Sequence, residues 1–339
     1  MIALPVTVDR LARPLRDVRI SVTDRCNFRC GYCMPTDAGG RPHEFVARSA
    51  LLSFEQIARL ARILVDLGAS KIRLTGGEPL LRRDLPTLVA ALSRIDGLGD
   101  LALTTNGSLL ASMAAPLADA GLGRVTVSLD SLDDGVFRRM NGVGFPVARV
   151  LDGIREARSY GLLPIKINAV IQRGVNEASG LSLARFARDE GLVLRLIEYM
   201  DVGQSNAWKR EDVVPADELL AIVDAAFPIA PLPDPDVGRV AERYRYRDGA
   251  GEIGVIGAVT RPFCGGCTRA RLTADGQLYP CLFAARGQDL RAHLDRGASD
   301  AELRATIEAA WPARDDRYSA LRGAASPRRR TVEMYRVGG

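Results

Sequence analysis

The chain has 339 residues, 47% of them hydrophobic and 26% charged, enough apolar material for one large domain or two moderate ones. It contains no apolar run of about 18 residues, which excludes a membrane-spanning helix. The opening MIALPVTVDRLARPLRD lacks a signal-peptide pattern, so the sequence reads as that of a cytoplasmic protein. The net charge of +5 is carried almost wholly by arginine, with Lys71, Lys166 and Lys209 the only lysines. Such a balance permits contact with phosphate or nucleic acid without requiring it.

In chain order, VRISVT (18–23) reads as a strand entering a loop that holds three cysteines. SFEQIARLARILVDLG (53–68) reads as a helix with a Ser53–Gln56 capping box and a Gly68 stop. KIRLT (71–75) is a strand, Asp84 is a candidate cap for a helix to about 95, and DLALTT (100–105) is a strand. Further strands fall at RVTVSLD (124–130), PIKINAV (164–170) and VLRLIEYM (193–200), with helices near 110–120, 146–160 and 177–190. These six strand–helix units predict an α/β fold with a parallel sheet and helices outside. A closed barrel takes eight such units, so an incomplete (β/α)6 barrel is expected over 1–214. Past the proline-rich PIAPLPDPD (228–236) the texture changes to short β-like pieces, read as a C-terminal α+β region, 215–339, that covers the barrel's open side.

The segments after the strands are polar or glycine-rich: the three cysteines, TGGEP (75–79), TTNG (104–107), SLDS (128–131) and EYMDVG (198–203). Loops that follow parallel strands converge on one rim, so these form one composite site. Glu198, Asp201 and Asn206 share that placement, and their roles, in ligand contact or in ordering the loop, are left open. In TDRCNFRCGYCMP, Cys26, Cys30 and Cys33 make an odd number of thiols. A cubane 4Fe–4S cluster held by three thiolates keeps one iron open for a small molecule. Zinc with an outside fourth ligand is the alternative, but His43 and His293 are the only histidines, which argues against Cys3His sites and a histidine base.

A second trio, Cys264, Cys267 and Cys281, lies in FCGGCTRARLTADGQLYPCLF. Asp275-Gly276 signals a type I′ hairpin, which folds Cys281 opposite roughly Ala270 and near the Cys264–Cys267 corner. A zinc ribbon and a second iron–sulfur cluster both suit this pattern. Arg269 and Arg271 alternate on one strand face beside it, as phosphate-binding guanidiniums or as surface arginines.

The C-x3-C-x-Tyr-C loop followed by GGEP resembles the radical S-adenosylmethionine (SAM) superfamily. Together with C-x2-C-x13-C, TRARLTADGQLYPCLF and the terminal Gly338-Gly339, nearly the whole chain resembles the GTP 3′,8-cyclase family of molybdenum cofactor biosynthesis. That resemblance implies two 4Fe–4S clusters: one on Cys26, Cys30 and Cys33 that binds SAM, and one on Cys264, Cys267 and Cys281 that contacts the guanine of GTP. It implies Tyr32, Gly77, Glu78, Ser128 and Met200 around SAM, with Glu78 accepting from the SAM ammonium. It implies Arg19, Arg73, Thr104, Lys166, Arg269, Ala270 and Arg271 around GTP, with Lys71 a weaker candidate. Gly338 and Gly339 are implied to reach the active site and assist the chemistry. The implied reaction is abstraction of the ribose C3′ hydrogen and closure onto guanine C8, giving 3′,8-cyclo-7,8-dihydro-GTP. It needs an external electron donor and a downstream cyclic pyranopterin monophosphate synthase, with neither nucleic acid nor membrane, in a monomer or homodimer. The rivals are another radical SAM enzyme with an auxiliary cluster and a zinc-stabilised binding module that uses the basic run SPRRR (326–330).

Overall fold

The computed structural model describes residues 7–34, 45–233, 238–322 and 332–338. Six strands, β1 (Asp17–Ser21), β2 (Lys71–Thr75), β3 (Asp100–Thr105), β4 (Arg124–Ser128), β5 (Lys166–Ile171) and β6 (Val193–Glu198), lie side by side in chain order and run parallel. Between them run helices α1 (Phe54–Asp66), α2 (Leu85–Leu92), α3 (Leu110–Asp119), the pair α4 (Asp134–Asn141) and α5 (Val147–Ser159), and α6 (Ser179–Asp189). The strands are apolar on the face that the helices cover, where Val18, Ile20, Ile72, Leu74, Leu103, Val125 and Val127 are all fully buried, while charged residues such as Arg19 and Arg73 alternate with them. After β6 come α7 (Ala216–Ala226), β7 (Ile229–Pro231), β8 (Glu242–Tyr246), β9 (Glu252–Ile256), β10 (Arg269–Leu272), β11 (Gln277–Tyr279) and β12 (Gln288–Asp289). Helices α8 (Arg291–Asp295), α9 (Asp300–Ala310), α10 (Tyr318–Leu321) and α11 (Met334–Val337) complete the described chain.

The six strand–helix units match the pattern, and the sheet is open. The C-terminal region does more than cover the open side. It extends the same sheet at both edges, in the order β12-β11-β10-β1-β2-β3-β4-β5-β6-β9-β8-β7. Here β10 runs parallel to β1 and β9 parallel to β6, so each edge of the barrel gains a parallel strand backed by an antiparallel one. Contacts from residues 201–322 span the remaining gap. Arg322 donates to the Ala258 carbonyl (2.6 Å), pairs with Asp201 (2.7 Å) and lies over the stacked rings of Phe283 and Tyr318.

Register decides which side chains share the interior. Arg271, Arg19 and Arg73 stand level on β10, β1 and β2, and one row toward the strand starts Arg269, Asp17 and Lys71 do the same. The two cysteine trios therefore occupy opposite ends of one strand pair. The first trio follows β1, and Cys264 and Cys267 precede β10.

Two local readings need correction. Asp84 precedes α2 but takes a left-handed conformation (φ 57°), and its side chain caps nothing. Pro86 within the first turn already removes one amide donor that a cap would satisfy. The hairpin is not type I′ either. Thr273 pairs with Gln277, and Gly276 (φ 86°) carries the positive φ without Asp275. This three-residue loop shifts the register, Arg271 facing Tyr279, so continuing the ladder puts Cys281 across from Arg269 rather than Ala270.

The α1 capping box forms as read, with the Ser53 hydroxyl accepting from Gln56 N (3.2 Å) and the Gln56 side chain accepting from Ser53 N (2.9 Å). Ser53→Ala is expected to lower stability by about 1 kcal/mol and Ser53→Gly by only a few tenths, measured as a shift in urea midpoint at constant slope.

Candidate active site

One continuous cavity runs through the barrel, and all six cysteines line it. Among the described residues, no group of three or more His, Cys, Asp or Glu side chains closes around a point for one metal ion. The thiols are free and spread along the cavity wall.

The loop after β1 is held from three sides. Gly77 N donates to Thr23 O and Glu78 N to Arg25 O, both at 2.8 Å, which stitches the end of β2 beneath the cysteine loop. A Cβ at Gly76 or Gly77 would lie 2.4 Å from those same carbonyls, so the glycine pair exists to let two backbones touch. Arg29 N donates to Asn141 O at the end of α4, and Phe28 packs against Phe137 and Phe145. Tyr32 donates its hydroxyl to Asp130 (2.7 Å), which fixes the ring between Cys30 and Cys33. Phe28 N points at the Cys26 sulfur (3.3 Å), a donor that favours a thiolate there.

The Glu78 carboxylate is engaged by three protein donors. It accepts from Leu80 N (3.0 Å), Thr105 Oγ1 (2.7 Å) and Asn106 N (2.7 Å), so it organises the TTNG turn, and Gly76 and Gly77 line the cavity in its place. Asn106 then reaches Asn27 (2.9 Å) and the Cys26 sulfur (3.8 Å).

The two ends of the cavity differ electrically. At the first trio, burial pushes Cys26 up to about 11, with the Glu78 charge adding to it. Cys30 and Cys33 are likewise raised, by burial and then by Asp130 and the neighbouring thiols. Burial also holds Glu78 near 7 and Asp130 near 6. At the second trio, burial pushes Cys267 up, yet Arg269, Arg314 and Arg271 together bring it down to about 6. On β1, β2 and β10, four guanidiniums have a buried nitrogen without a protein hydrogen-bond partner: Arg19 Nε, Arg73 Nε, Arg269 Nε, and Nε and Nη2 of Arg271. Arg19, Arg269 and Arg271 line the cavity, as do Tyr32, Gly77, Thr104, Ser128 and Met200.

Other residues singled out by sequence stand apart. Arg73 lies beneath the wall, donating to Thr104 Oγ1 (3.1 Å) and Thr126 Oγ1 (2.9 Å). Lys166 begins β5 near the strand starts, and Lys71 sits 3.7 Å from both Asp17 and Asp100. The Ala270 side chain is wholly buried in the apolar core between the two inward arginines. Gly338 reaches the tops of β1 and β2, where a Cβ would lie 2.2 Å from Thr75 Cγ2, and Met334 lines the cavity. Gly339, His43 and the SPRRR run fall outside the described residues.

The three residues left open order their surroundings. Glu198 accepts from Ala216 N, Val259 N and Thr260 N (2.7–2.9 Å) and from the Thr260 hydroxyl. Asp201 takes Arg322 and Tyr318, and Asn206 spans Met200 O and Val202 O. Sequence reasoning missed Asp130, Asn168 and Arg195, whose signal was a polar group on an apolar strand or just after it. It also missed Arg13 and Arg314, which carry no such signal.

The open barrel with its cysteine loop is that of a radical SAM enzyme: residues 20–187 match the Radical SAM superfamily and residues 192–320 match Molybdenum Cofactor Synthesis C. Methylornithine synthase shares the fold, with a TM-score of 0.50 at 17% identity over 64% of this chain and 63% of that one. A GTP 3′,8-cyclase of Acidothermus cellulolyticus is 56% identical over 93% of this chain and 88% of its own length. Those of Xanthomonas axonopodis pv. citri and Staphylococcus aureus are 49% and 44% identical, each over 98% of both chains. The chain belongs to the GTP 3′,8-cyclase family.

Gly338→Ala is expected to unseat the 332–338 segment, since φ is 68° and Thr75 fills the space for a side chain. Backbone amide exchange over 334–337 should accelerate by tenfold or more, while exchange in β2 stays unchanged.

Proposed function

We propose that this chain joins C3′ of GTP to C8 of its guanine, the opening step of molybdenum cofactor biosynthesis. The observation that carries the reading is the pair of cysteine trios at opposite ends of one cavity, with unpartnered guanidiniums at the second. The first trio, three thiols with Phe28 N and Asn106 Nδ2 aimed at Cys26, suits a 4Fe–4S cluster with one open iron. Such a cluster would supply the electron that splits bound SAM to an adenosyl radical. Tyr32, Gly77, Ser128 and Met200 line that end of the cavity and would orient SAM. Cys264, Cys267 and Cys281 would hold a second cluster, which would offer a site for the guanine.

In this reading GTP spans the cavity. Arg19, Arg269 and Arg271 meet it with donors the protein leaves unpaired, and Thr104 bounds its path. Arg73, Lys166, Lys71 and Arg195, the last level with Asn168 on β5 and Gly254 on β9, add positive charge behind the cavity wall that favours a triphosphate within it. Gly338, at the tops of β1 and β2, bounds the other end. Residues 1–214 form the SAM half and 215–339 the substrate half. The enzyme works in the cytoplasm, takes electrons from an external donor and passes its product to cyclic pyranopterin monophosphate synthase. No helix of the described residues is long and apolar enough to cross a membrane.

Reconstituted protein given SAM, reductant and GTP deuterated at C3′ is expected to release deuterated 5′-deoxyadenosine. Cleavage of SAM without transfer would move the reading to another substrate. Cys33→Ser should abolish cleavage, whereas Cys281→Ser should spare uncoupled cleavage more than cyclisation.

Lys166 supplies a pH signature. Burial, then Arg195 and Arg124, push its ammonium down to about 7, so near neutral pH part of it is uncharged. A bound triphosphate favours the charged form, so GTP binding should take up a proton and weaken as pH rises through 7 to 8. Calorimetry in buffers of different ionisation heat should show the uptake, and Lys166→Met should remove it.

A further inference from the structure

Two arginines outside every motif converge on the second cysteine trio. Arg13, from the segment before β1, and Arg314, from the segment after α9, share one carboxylate. Asp9 Oδ2 accepts from Arg13 Nε (2.6 Å) and Arg314 Nη1 (3.1 Å), while Asp9 Oδ1 accepts from Leu11 N and Arg13 N (both 2.9 Å). Each guanidinium then holds a carbonyl of the cysteine turn. Arg13 Nη1 donates to Cys264 O (2.7 Å) and Asp316 O (2.9 Å), and Arg314 Nη1 donates to Cys267 O (2.7 Å). The Trp311 indole lies under Arg314 and donates to Arg13 O (3.1 Å), which fixes the group from below.

The charges do not balance. Both arginines and Asp9 are buried (1%, 3% and 6% exposed), so these three groups together carry one positive charge in excess, and a further carboxylate, Asp316, is a partly exposed group on the same cavity wall. Arg13 Nη2 and Arg314 Nε have no protein partner, and both side chains line the cavity. A buried cation with spare donors needs an anion beside it. An iron–sulfur cluster on three thiolates is anionic and becomes more so on taking up an electron. We infer that Arg13 and Arg314, bracketed by Asp9, are positioning residues of the second metal centre: they hold the Cys264–Cys267 turn and favour the reduced cluster by their charge. The inference rests on the reading that this trio holds a cluster. It adds Arg13 and Arg314 to the positive charge that Arg269, hydrogen-bonded to the Cys267 side chain, already places beside the trio.

The test uses the full chain with Cys26, Cys30 and Cys33 replaced by serine, so that only the second trio can load. Iron content and a redox titration followed by electron paramagnetic resonance are the readouts, and the titrant supplies the electron. Arg13→Gln and Arg314→Gln are expected to keep their iron but move the midpoint potential downward, so that the reduced fraction at fixed potential falls on the order of tenfold. Asp9→Asn removes the compensating carboxylate and should move it upward. This reversal of sign is what a merely structural role does not give. If Arg13→Gln fails to load, Arg314→Gln and Asp9→Asn carry the comparison. Shifts of one sign in every variant, no shift in any, or loss of iron from all three would overturn the inference while leaving the cluster reading in place. Absence of iron from the parent with its intact second trio would overturn both.

Discussion

The guanidiniums of Arg19, Arg73, Arg269 and Arg271 are packed inside the sheet, and Asp17 is the carboxylate whose charge reaches all four. Burial and mutual repulsion lower Arg19 and Arg73, and they hold Arg271 near 10. Folding tolerates this because the surrounding shell is apolar and nearly continuous, from Leu15 and Val18 on one side to Leu194 and Val255 on the other. The excess charge favours an anion in the cavity. A ligand bound only by the folded state, at free concentration L, adds RT ln(1 + L/Kd) to stability, which keeps growing with its concentration. Substrate binding and the integrity of the fold thus draw on the same set of charges.

The carboxylates show the complementary pattern. Glu78, Glu198 and Asp9 are buried acids, yet each is surrounded by protein donors and acts as a fastener between segments far apart in sequence. Glu78 ties β2 to the turn after β3, Glu198 ties β6 to α7 and to the start of the second cysteine region, and Asp9 ties the first described segment to the last helices. Unpartnered donors are left toward the cavity by the arginines, while these three carboxylates are engaged by protein donors. With Asp130 lining the first-trio end and Arg269 and Arg271 the second, the two ends of the cavity differ in polarity.

Much of this was legible because it is written locally. The six strands are apolar runs, α1 announces itself by Ser53 and Gln56, and both cysteine trios are compact in sequence. The pairing of β10 with β1 and of β9 with β6 could not be read, since short strands carry no mark of a partner some 250 or 60 positions away. The hairpin register went astray by one residue because Asp-Gly serves both two-residue and three-residue loops. For Glu78 the motif marked the residue but not the three protein donors that its side chain meets. Arg13 and Arg314 were invisible for a different reason: their meaning comes from a shared carboxylate that only the fold assembles.

The placement of the trios at opposite ends of β1 and β10 has a consequence for selectivity. Five residues of strand span roughly 17 Å, and this length is fixed by the hydrogen-bonded ladder. In the proposed reading, a substrate that reaches from the first trio to the second is gauged by that span, which a free base is too short to bridge. Size discrimination is then a property of the sheet's backbone, set before any side chain reads the substrate's chemistry.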